Sequence, residues 1–233
     1  MSMLEVTDVD YYYRNKYQTN HVLKKVSCSF DPGKIYAITG RSGSGKTTLL
    51  SLIAGLDDPA AGQICLNQVS YKEMSKEKLR REKISIIFQS FNLFPLLTIE
   101  ENVMYPATLV GKRTREAREK AEVLLEQVGL GAEYRKRYPR MLSGGEQQRV
   151  AIARALASGA KIILADEPTG NLDSQNSDKV MSILSGLAKE KDYCVIVVTH
   201  DRDISEMADH SYHMKDGRIW GRTSDYEADD KTV

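Results

Sequence analysis

The chain has 233 residues, and its 33 lysines and arginines nearly balance its 32 aspartates and glutamates. This balance gives no overall electrostatic reason to expect nucleic acid or an anionic membrane surface as a partner. The sequence contains no apolar run near the length of a membrane span, and its first ten residues lack the basic and apolar regions of a signal peptide. We therefore expect a soluble chain that binds no nucleic acid and needs another subunit for any work at a membrane.

The first third of the chain is predicted to form strands separated by glycine and proline turns. Four segments are rich in strand-forming residues: LEVTDVDYYY, VLKKVSCSF, GQICLNQ and KISIIF. The three cysteines are scattered among strand-like segments, which favours buried thiols in a reducing cytoplasm over disulfides or a metal site. They are Cys28, Cys65 and Cys194.

A glycine-rich loop interrupts these strands within residues 37–56, AITGRSGSGKTTLLSLIAGL. It matches the phosphate-binding pattern G-x-x-x-x-G-K-[ST] at Gly40, Gly45, Lys46 and Thr47, between a strand-like and a helix-like segment. Glycines let backbone N–H groups turn inward around an anion, and the N-terminus of the following helix favours negative charge. Lys46 is expected to reach the β and γ phosphates, and Thr47 to help hold Mg²⁺. The alternative is a flexible turn that matches by chance.

The pattern becomes helical from Thr98 to about Ser158. In the segment TREAREKAEVLLEQVGL, apolar residues recur on one helical face and Gly129 supplies a stop. Strands and helices alternate again from Lys161 onward. We therefore predict one α/β domain over residues 1–220, with an inserted helical subdomain at about residues 90–160. Residues 221–233 are polar and acidic, and we expect them to be disordered or to form a late rim.

A short apolar strand ends in two carboxylates in the segment KIILADEP. In open α/β sheets, ligands gather at the carboxyl ends of the strands. Asp166 is therefore placed to hold Mg²⁺, directly or through water, and Glu167 to orient and deprotonate an attacking water. The alternative is a solvated acidic turn before Pro168, which the phosphate-binding loop in the same chain makes less favoured.

A second glycine turn opens an amphipathic helix in LSGGEQQRVAIARAL, residues 142–156. It is another helix N-terminus suited to an anion. One nucleotide does not need two such sites about 100 residues apart, but two chains that share nucleotides do. With these motifs the sequence resembles the ATP-binding subunits of ABC transporters. GRSGSGKT matches their Walker A loop, IILADE their Walker B strand and LSGGE their signature.

The resemblance continues through GNLD, VVTHD and IIFQS, and covers roughly residues 4–219. It implies an α/β fold with a P-loop NTPase core, an antiparallel β subdomain and an inserted α-helical subdomain. It also implies an ATPase that binds ATP and Mg²⁺, forms an ATP-dependent homodimer and powers an integral-membrane permease on a separate chain. The chain would then be cytoplasmic, held at the inner face of the cell membrane by the permease.

The family's functional roles carry over to the matching positions of this sequence. Glu167 would be the catalytic carboxylate, His200 a γ-phosphate contact, and Gln89 a ligand of Mg²⁺ and water that moves on hydrolysis. Ser143 and Gly145 would contact the γ-phosphate of ATP held by the partner chain. The resemblance assigns nucleotide binding to Tyr13, Gly40, Arg41, Ser42, Gly43, Ser44, Gly45, Lys46, Thr47, Thr48, Ser143, Gly144, Gly145, Glu146 and Asp173. It assigns metal binding to Thr47, Gln89 and Asp166.

Several alternatives stay open. The adenine-stacking aromatic best matches Tyr13, but Tyr11 is offset by two residues to the same strand face. A histidine beside a strand end, such as His200, is more often a packing or capping residue than a catalytic one. The fifth signature residue is Glu146, where many family members have glutamine. The motifs are most similar to the branch that exports lipoproteins, macrolides and antimicrobial peptides, which also contains a cell-division member. A soluble member of the superfamily, or a P-loop kinase or GTPase, is the alternative class.

The segment after Gln89, QSFNLFPLLTIEENV, carries five apolar side chains within residues 91–97. Proline and the lack of clean periodicity argue against a regular helix or a central strand, so we expect part of this surface on a loop. We predict that residues 91–97 help to form a groove for a short cytoplasmic helix of the permease. The alternative is that these side chains form the core of the helical subdomain.

Overall fold

The structure is a computed structural model that describes residues 2–14 and 18–221. The tail predicted at residues 221–233 falls, except for its first residue, outside the described residues. The strands in the described part are β1 (Leu4–Arg14), β2 (Thr19–Phe30), β3 (Ile35–Thr39), β4 (Ala61–Leu66), β5 (Val69–Ser70), β6 (Ile84–Ile87), β7 (Ile162–Asp166), β8 (Cys194–Val198), β9 (His210–Lys215) and β10 (Arg218–Trp220). The α-helices there are α1 (Lys46–Ile53), α2 (Lys76–Lys78), α3 (Ile99–Leu109), α4 (Thr114–Gln127), α5 (Gly144–Ala157), α6 (Ser174–Lys191) and α7 (Arg202–Met207).

The central sheet has the order β10-β9-β3-β8-β7-β6. Its neighbours pair in parallel except for β10, which runs antiparallel to β9. Ile163 and Ala165 of β7 pack into one hydrophobic cluster, and Ile162 and Leu164 pack into a second cluster on the other face. Burial of both faces is typical of parallel sheets and explains the unbroken apolar runs in β7 and β8. The carboxyl ends of β3, β7 and β8 consequently lie side by side.

A second sheet is antiparallel, with the order β2-β1-β4-β5. Its apolar face, which includes Leu4, Val6 and Val9, packs into the same cluster as the apolar face of α1. The four predicted N-terminal strands are confirmed as β1, β2, β4 and β6. The cysteines lie in β2, β4 and β8 as free thiols, buried in the case of Cys28 and Cys194 and half-buried in the case of Cys65.

Three helices, α3, α4 and α5, lie between β6 and β7 in the sequence, and they pack against one another. The predicted helix in TREAREKAEVLLEQVGL is confirmed as α4, and its buried residues include Ala117, Ala121 and Leu125. The apolar pattern after the phosphate loop extends further than helix α1 does. Gly55, at φ +66°, follows the helix end, and Leu56 is consequently exposed. No helix within the described ranges is long and apolar enough to cross a membrane.

Candidate functional site

A cavity of about 740 Å³ lies at the carboxyl ends of β3, β7 and β8. The phosphate-binding loop follows β3, Glu167 follows β7, and His200 lies two residues beyond β8. Residues that are far apart in the sequence therefore meet in one cavity. Its lining residues are Tyr13, Asn20, Val22, Ser42, Gly43, Gly45, Lys46, Thr47, Thr48, Gln89, Glu167 and His200. All of these residues except Asn20 and Val22 are predicted from the sequence to belong to the site.

The phosphate-binding loop requires glycine at two of the predicted positions. Gly40 has φ +146°, and a Cβ placed on it would lie 2.2 Å from the Met214 carbonyl oxygen. Gly45 has φ +106°, a conformation that side chains rarely permit. The Lys46 ammonium is buried inside the loop, where Nζ donates to the carbonyl oxygens of Gly40 at 2.7 Å and Arg41 at 3.1 Å. The loop thus holds a cation at the position that a phosphate chain requires.

Two loop residues predicted to bind nucleotide, Arg41 and Ser44, are not among the residues that line the 740 Å³ cavity. Arg41 and Ser44 line a separate cavity of about 550 Å³, together with residues of β9 and the turn that follows it. The Ser44 hydroxyl is buried and has no hydrogen-bond partner among the described residues. The role of these two residues in nucleotide binding stays a prediction.

Two tyrosines of β1 occupy different environments. Tyr11 is buried, and its hydroxyl donates to the Asp57 carboxylate, a bond that raises the pKa of Tyr11 to about 12 together with burial and the nearby charge. The Tyr13 side chain is 53% exposed, lines the cavity and has its hydroxyl 3.5 Å from Thr48 Oγ1. Tyr13 therefore has the flat exposed ring that adenine stacking needs. Asn20, which no sequence motif marks as a site residue, pairs in register with Tyr13 across the hairpin.

Two adjacent carboxylates lie at the end of β7. Burial raises the pKa of Asp166, and the Glu167 charge raises it further, while Lys46 and a hydrogen bond from the Thr47 hydroxyl partly offset these effects. Glu167 has φ +47°, a conformation that is uncommon outside glycine and is often associated with functional sites. Its Oε1 lies 2.9 Å from Nδ1 of His200. The site thus combines two different carboxylates. Glu167 has a strained backbone and is hydrogen-bonded to His200, whereas the charge of Asp166 is only partly compensated by its neighbours.

These groups fit a magnesium ion bound together with phosphates. The raised pKa of Asp166 means that its charged form is destabilised by its surroundings, which a nearby cation would reverse. Thr47 and Gln89 line the 740 Å³ cavity and carry side-chain oxygen atoms of the kind that Mg²⁺ prefers, whereas Asp166 is not part of that lining. The described residues contain no group of three or more histidine, cysteine, aspartate or glutamate side chains that could hold a metal. Mg²⁺ does not need one, because it is commonly bound by one or two carboxylates with water and substrate phosphates.

The signature turn begins helix α5 and is closed by a capping box. Ser143 Oγ accepts from the Glu146 N–H at 3.3 Å, and Glu146 Oε2 accepts from the Ser143 N–H at 2.8 Å. The Tyr134 hydroxyl donates to Glu146 Oε1 at 2.9 Å. Burial acts to raise the pKa of Glu146, but the hydrogen bonds from Ser143 and Tyr134 outweigh it and lower the pKa overall. The Glu146 side chain is therefore engaged within its own chain.

Neither the signature residues nor Asp173 belong to the lining of the 740 Å³ cavity as the structure describes it. Asp173 caps the N-terminus of α6, where its Oδ1 accepts from the Asn176 N–H at 2.8 Å. This bond and those from the Asn176 side chain lower the pKa of Asp173. In the described part of the chain, the 740 Å³ cavity and the signature turn at Ser143 are thus two separate places, each suited to bind an anion.

The phosphate loop, the paired carboxylates and the parallel sheet define a P-loop nucleotide hydrolase. The model of the family described as ABC transporter matches residues 23–170, more than half of the chain. The chain belongs to this family, and it is an ATP-binding subunit of an ABC transporter with ATPase activity. The resemblance inferred from its motifs is confirmed.

The sequence is similar to those of curated relatives over nearly the whole chain. An uncharacterized ABC transporter ATP-binding protein of Mycobacterium tuberculosis is 40% identical over 220 residues, which is 93% of this chain and 88% of that protein. The macrolide export ATP-binding/permease protein MacB of Mannheimia succiniciproducens is 42% identical over 222 residues, which is 94% of this chain. The matched region spans 34% of that MacB protein.

Solved structures confirm the predicted fold. The dimeric structure of the ABC transporter cassette MJ0796, a protein of Methanocaldococcus jannaschii, has a TM-score of 0.86 at 38% identity and covers 93% of this chain and 96% of that chain. A dimeric post-hydrolysis state of MJ0796 bound to ADP and phosphate has a TM-score of 0.85 with the same coverage. The predicted ABC ATPase fold, with its P-loop core, is therefore confirmed.

Proposed function

We propose that the chain forms an ATP-dependent homodimer that hydrolyses ATP to drive a separate membrane permease of an exporter. One observation carries this proposal. The turn at Ser143 is capped and suited to an anion, yet it lies outside the lining of the nucleotide cavity described for its own chain. A second chain, turned head to tail, would bring this turn to the nucleotide held at Lys46. The dimeric structures of MJ0796, one of them bound to ADP and phosphate, support this arrangement by likeness.

The exporter assignment rests on likeness to proteins with that name. Several proteins named macrolide export ATP-binding/permease protein MacB are 42–43% identical to this chain. We assign the cargo to the class of macrolides, antimicrobial peptides or lipoproteins, and place the subunit on the cytoplasmic face of the membrane. The alternative is an ATPase of the cell-division branch that regulates a membrane partner without transport, or a soluble ABC ATPase.

Nucleotide binding would use the loop and the exposed ring beside it. Adenine stacks on Tyr13, and the backbone N–H groups of residues 40–48 surround the phosphates. Lys46 exchanges its bonds with the loop carbonyls for the β and γ phosphates. Thr47 and Asp166 would hold Mg²⁺ together with Gln89. When bound, Mg²⁺ neutralises charge on the β and γ phosphates.

Hydrolysis would require the pair at the end of β7 and β8 to separate. Glu167 accepts a proton from the water that attacks the γ-phosphate, so its carboxylate must be free of other strong partners. His200 turns its exposed ring from Glu167 toward the γ-phosphate and stabilises the charge that develops there. Ser143 and Gly145 of the second chain complete the contacts to the same phosphate.

The permease would dock in a groove on another face of the chain. This groove has a volume of about 360 Å³ and lies between β6, α3 and α5. Phe94 and Tyr105 meet edge to face in it, with ring centroids 4.9 Å apart. Both rings are about two-fifths exposed, which is unusual for aromatic side chains that merely fill a core. Their apolar surface fits a short helix of the permease.

The loop that carries Phe94 is firmly held. The buried Asn102 amide accepts from the Phe94 N–H at 2.8 Å and donates to three carbonyl oxygens, those of Phe94, Leu97 and Thr98. Not all of residues 91–97 serve the groove, however. Phe91 packs toward the signature turn, where its Cζ lies 3.7 Å from the position of a Cβ on Gly144. Leu93 packs against the main hydrophobic cluster.

The proposed shared site is tested with Glu167→Gln, which removes the base but keeps the side-chain size. This variant should be mainly monomeric without nucleotide and dimeric with ATP and Mg²⁺ in light scattering at tens of micromolar protein. ADP in place of ATP is the control, and should leave it monomeric. A monomer in the presence of ATP and Mg²⁺ would contradict the shared site. Co-purification of the chain with membrane proteins from its own cells separates a permease-driving subunit from a soluble ABC ATPase.

A further inference from the structure

The side chain of Asn176 makes more contacts than its place in helix α6 requires. Its backbone N–H already satisfies the cap by donating to Asp173 Oδ1 at 2.8 Å. In addition, its side-chain Nδ2 donates to both carboxylate oxygens of Asp173, at 3.0 Å each. Helix capping therefore accounts for the backbone bond but not for the two side-chain bonds.

The opposite end of the same amide faces the signature helix. Arg149 Nη1 donates to Asn176 Oδ1 at 3.5 Å. A Cβ placed on Gly145 would lie 2.4 Å from both Cγ and Oδ1 of Asn176, closer than real Cβ contacts come. Gly145 has an ordinary helical conformation, so its need for glycine comes from this contact and not from its backbone angles. Asn176 therefore lies directly on the backbone of the signature turn.

Neighbouring residues extend this contact to the nucleotide cavity. Leu172 Cδ2 lies 3.6 Å from the position of a Cβ on Gly144. Asn171 Nδ2 donates to the carbonyl oxygen of Gln89 at 3.2 Å. Residues 170–176 thus form one connected segment between Gln89, which lines the cavity, and the signature turn.

We propose that Asn176 is a positioning residue that fixes the Asp173 carboxylate and the Gly145 backbone relative to each other for docking of a second chain. An amide suits this role, because it donates to a carboxylate at one end and accepts from a guanidinium at the other. Without it, the turn and the Asp173 loop would have to be ordered when the dimer forms, which weakens association. The inference rests on the proposed shared site, since it is the second chain's nucleotide that meets this turn.

The test compares Asn176→Ala with its parent, both carrying Glu167→Gln. Light scattering over a range of protein concentrations gives the dimer dissociation constant with ATP and Mg²⁺. We expect Asn176→Ala to raise this constant about tenfold or more, because the contact occurs twice in a symmetric dimer. Binding of a fluorescent ATP analogue to dilute monomer should stay close to that of the parent. The thermal unfolding midpoint is measured for both proteins.

Two further variants sharpen the result. Gln175→Ala removes an exposed amide one residue away in the same helical turn, and should leave dimerisation unchanged. Asn176→Asp replaces the donor to Asp173 with a second negative charge, so it should weaken the dimer more than Asn176→Ala does. If Gln175→Ala weakens the dimer equally, the role specific to Asn176 is overturned.

The outcomes separate this inference from the proposed function. A dimer that forms equally well with Asn176→Ala or Asn176→Asp overturns the positioning role alone. Joint loss of stability, nucleotide binding and dimerisation also overturns it, because Asn176 would then serve only to hold the fold. If the Glu167→Gln parent forms no dimer, the shared site fails first and the role of Asn176 fails with it.

Discussion

The Glu167 carboxylate and the His200 ring are hydrogen-bonded across the nucleotide cavity, with 2.9 Å between Oε1 and Nδ1. The two side chains differ in exposure, since that of His200 is 73% exposed and that of Glu167 only 18%. An exposed ring thus covers a carboxylate that the proposed mechanism needs free. Because the ring has room to turn, the pair is arranged for a change of partner when nucleotide arrives.

The first prediction concerns His200→Ala. The variant should bind ATP as the wild type does, because the Tyr13 ring and the phosphate loop are untouched. Its turnover should fall about 100-fold or more, as is typical when a group that stabilises developing charge is removed. Steady-state ATPase assays and binding of a fluorescent ATP analogue measure the two properties separately. An equal loss of binding would show that His200 is a packing residue.

A second prediction concerns Lys46→Ala, which removes the buried ammonium from the phosphate loop. ATP affinity should fall about 10- to 100-fold, the range expected for a lost charge-assisted hydrogen bond. The measurement is a titration with the fluorescent ATP analogue. Lys34→Ala removes an exposed lysine before β3 and is the matched control. Unchanged affinity in Lys46→Ala would remove Lys46 from the phosphate site.

A third prediction separates two phenylalanines of one loop. Phe94→Ser should keep basal ATPase activity but lose co-purification with the permease or stimulation by it, because Phe94 lines the groove. Phe91→Ser should instead weaken the ATP-dependent dimer, because that ring packs beside Gly144. Unfolding of the subunit by Phe94→Ser, seen by circular dichroism, would assign the ring to the core and contradict docking in the groove.

Motifs with strict local geometry could be predicted from the sequence. The turn at Gly40 leaves no room for a side chain, and the strand that ends at Asp166 is buried on both faces. Each requirement leaves a clear pattern in the residues themselves. The position of the Lys46 ammonium inside the loop follows from the same motif. Most of the cavity lining was consequently predicted.

The remaining features of the cavity, namely which tyrosine is exposed and the presence of Asn20, depend on how strands β1 and β2 pair. Counting by two places Tyr11 and Tyr13 on one face of β1, and their rings do meet edge to face, with centroids 5.1 Å apart. The count does not show which ring is exposed, since Tyr11 is buried and Tyr13 is not. The hairpin register shifts between residues 9 and 11 and again between residues 11 and 12, so the β2 residue opposite Tyr13 does not follow from counting along the strands. Asn20 reaches the cavity only through this register. Single-sequence periodicity carries no signal for such shifts.

The last prediction concerns Gln148 of helix α5, whose side chain is fully buried. Neither its amide oxygen nor its amide nitrogen has a hydrogen-bond partner among the described residues. Gln148→Met keeps a similar length and removes both polar groups, so it should raise the free energy of unfolding by about 1–3 kcal/mol. Urea unfolding followed by circular dichroism measures the change.

Gln147→Met is the matched control, because the Gln147 amide donates to the Leu142 carbonyl oxygen at 3.1 Å. That variant should be less stable than the wild type, or equal to it. If both substitutions destabilise the chain to the same extent, the Gln148 amide has a partner in solution and the prediction is wrong. If Gln148→Met stabilises the chain but lowers ATPase turnover, the amide gains its partner only in the nucleotide-bound form. Its retention in the core would then serve the reaction and not the fold.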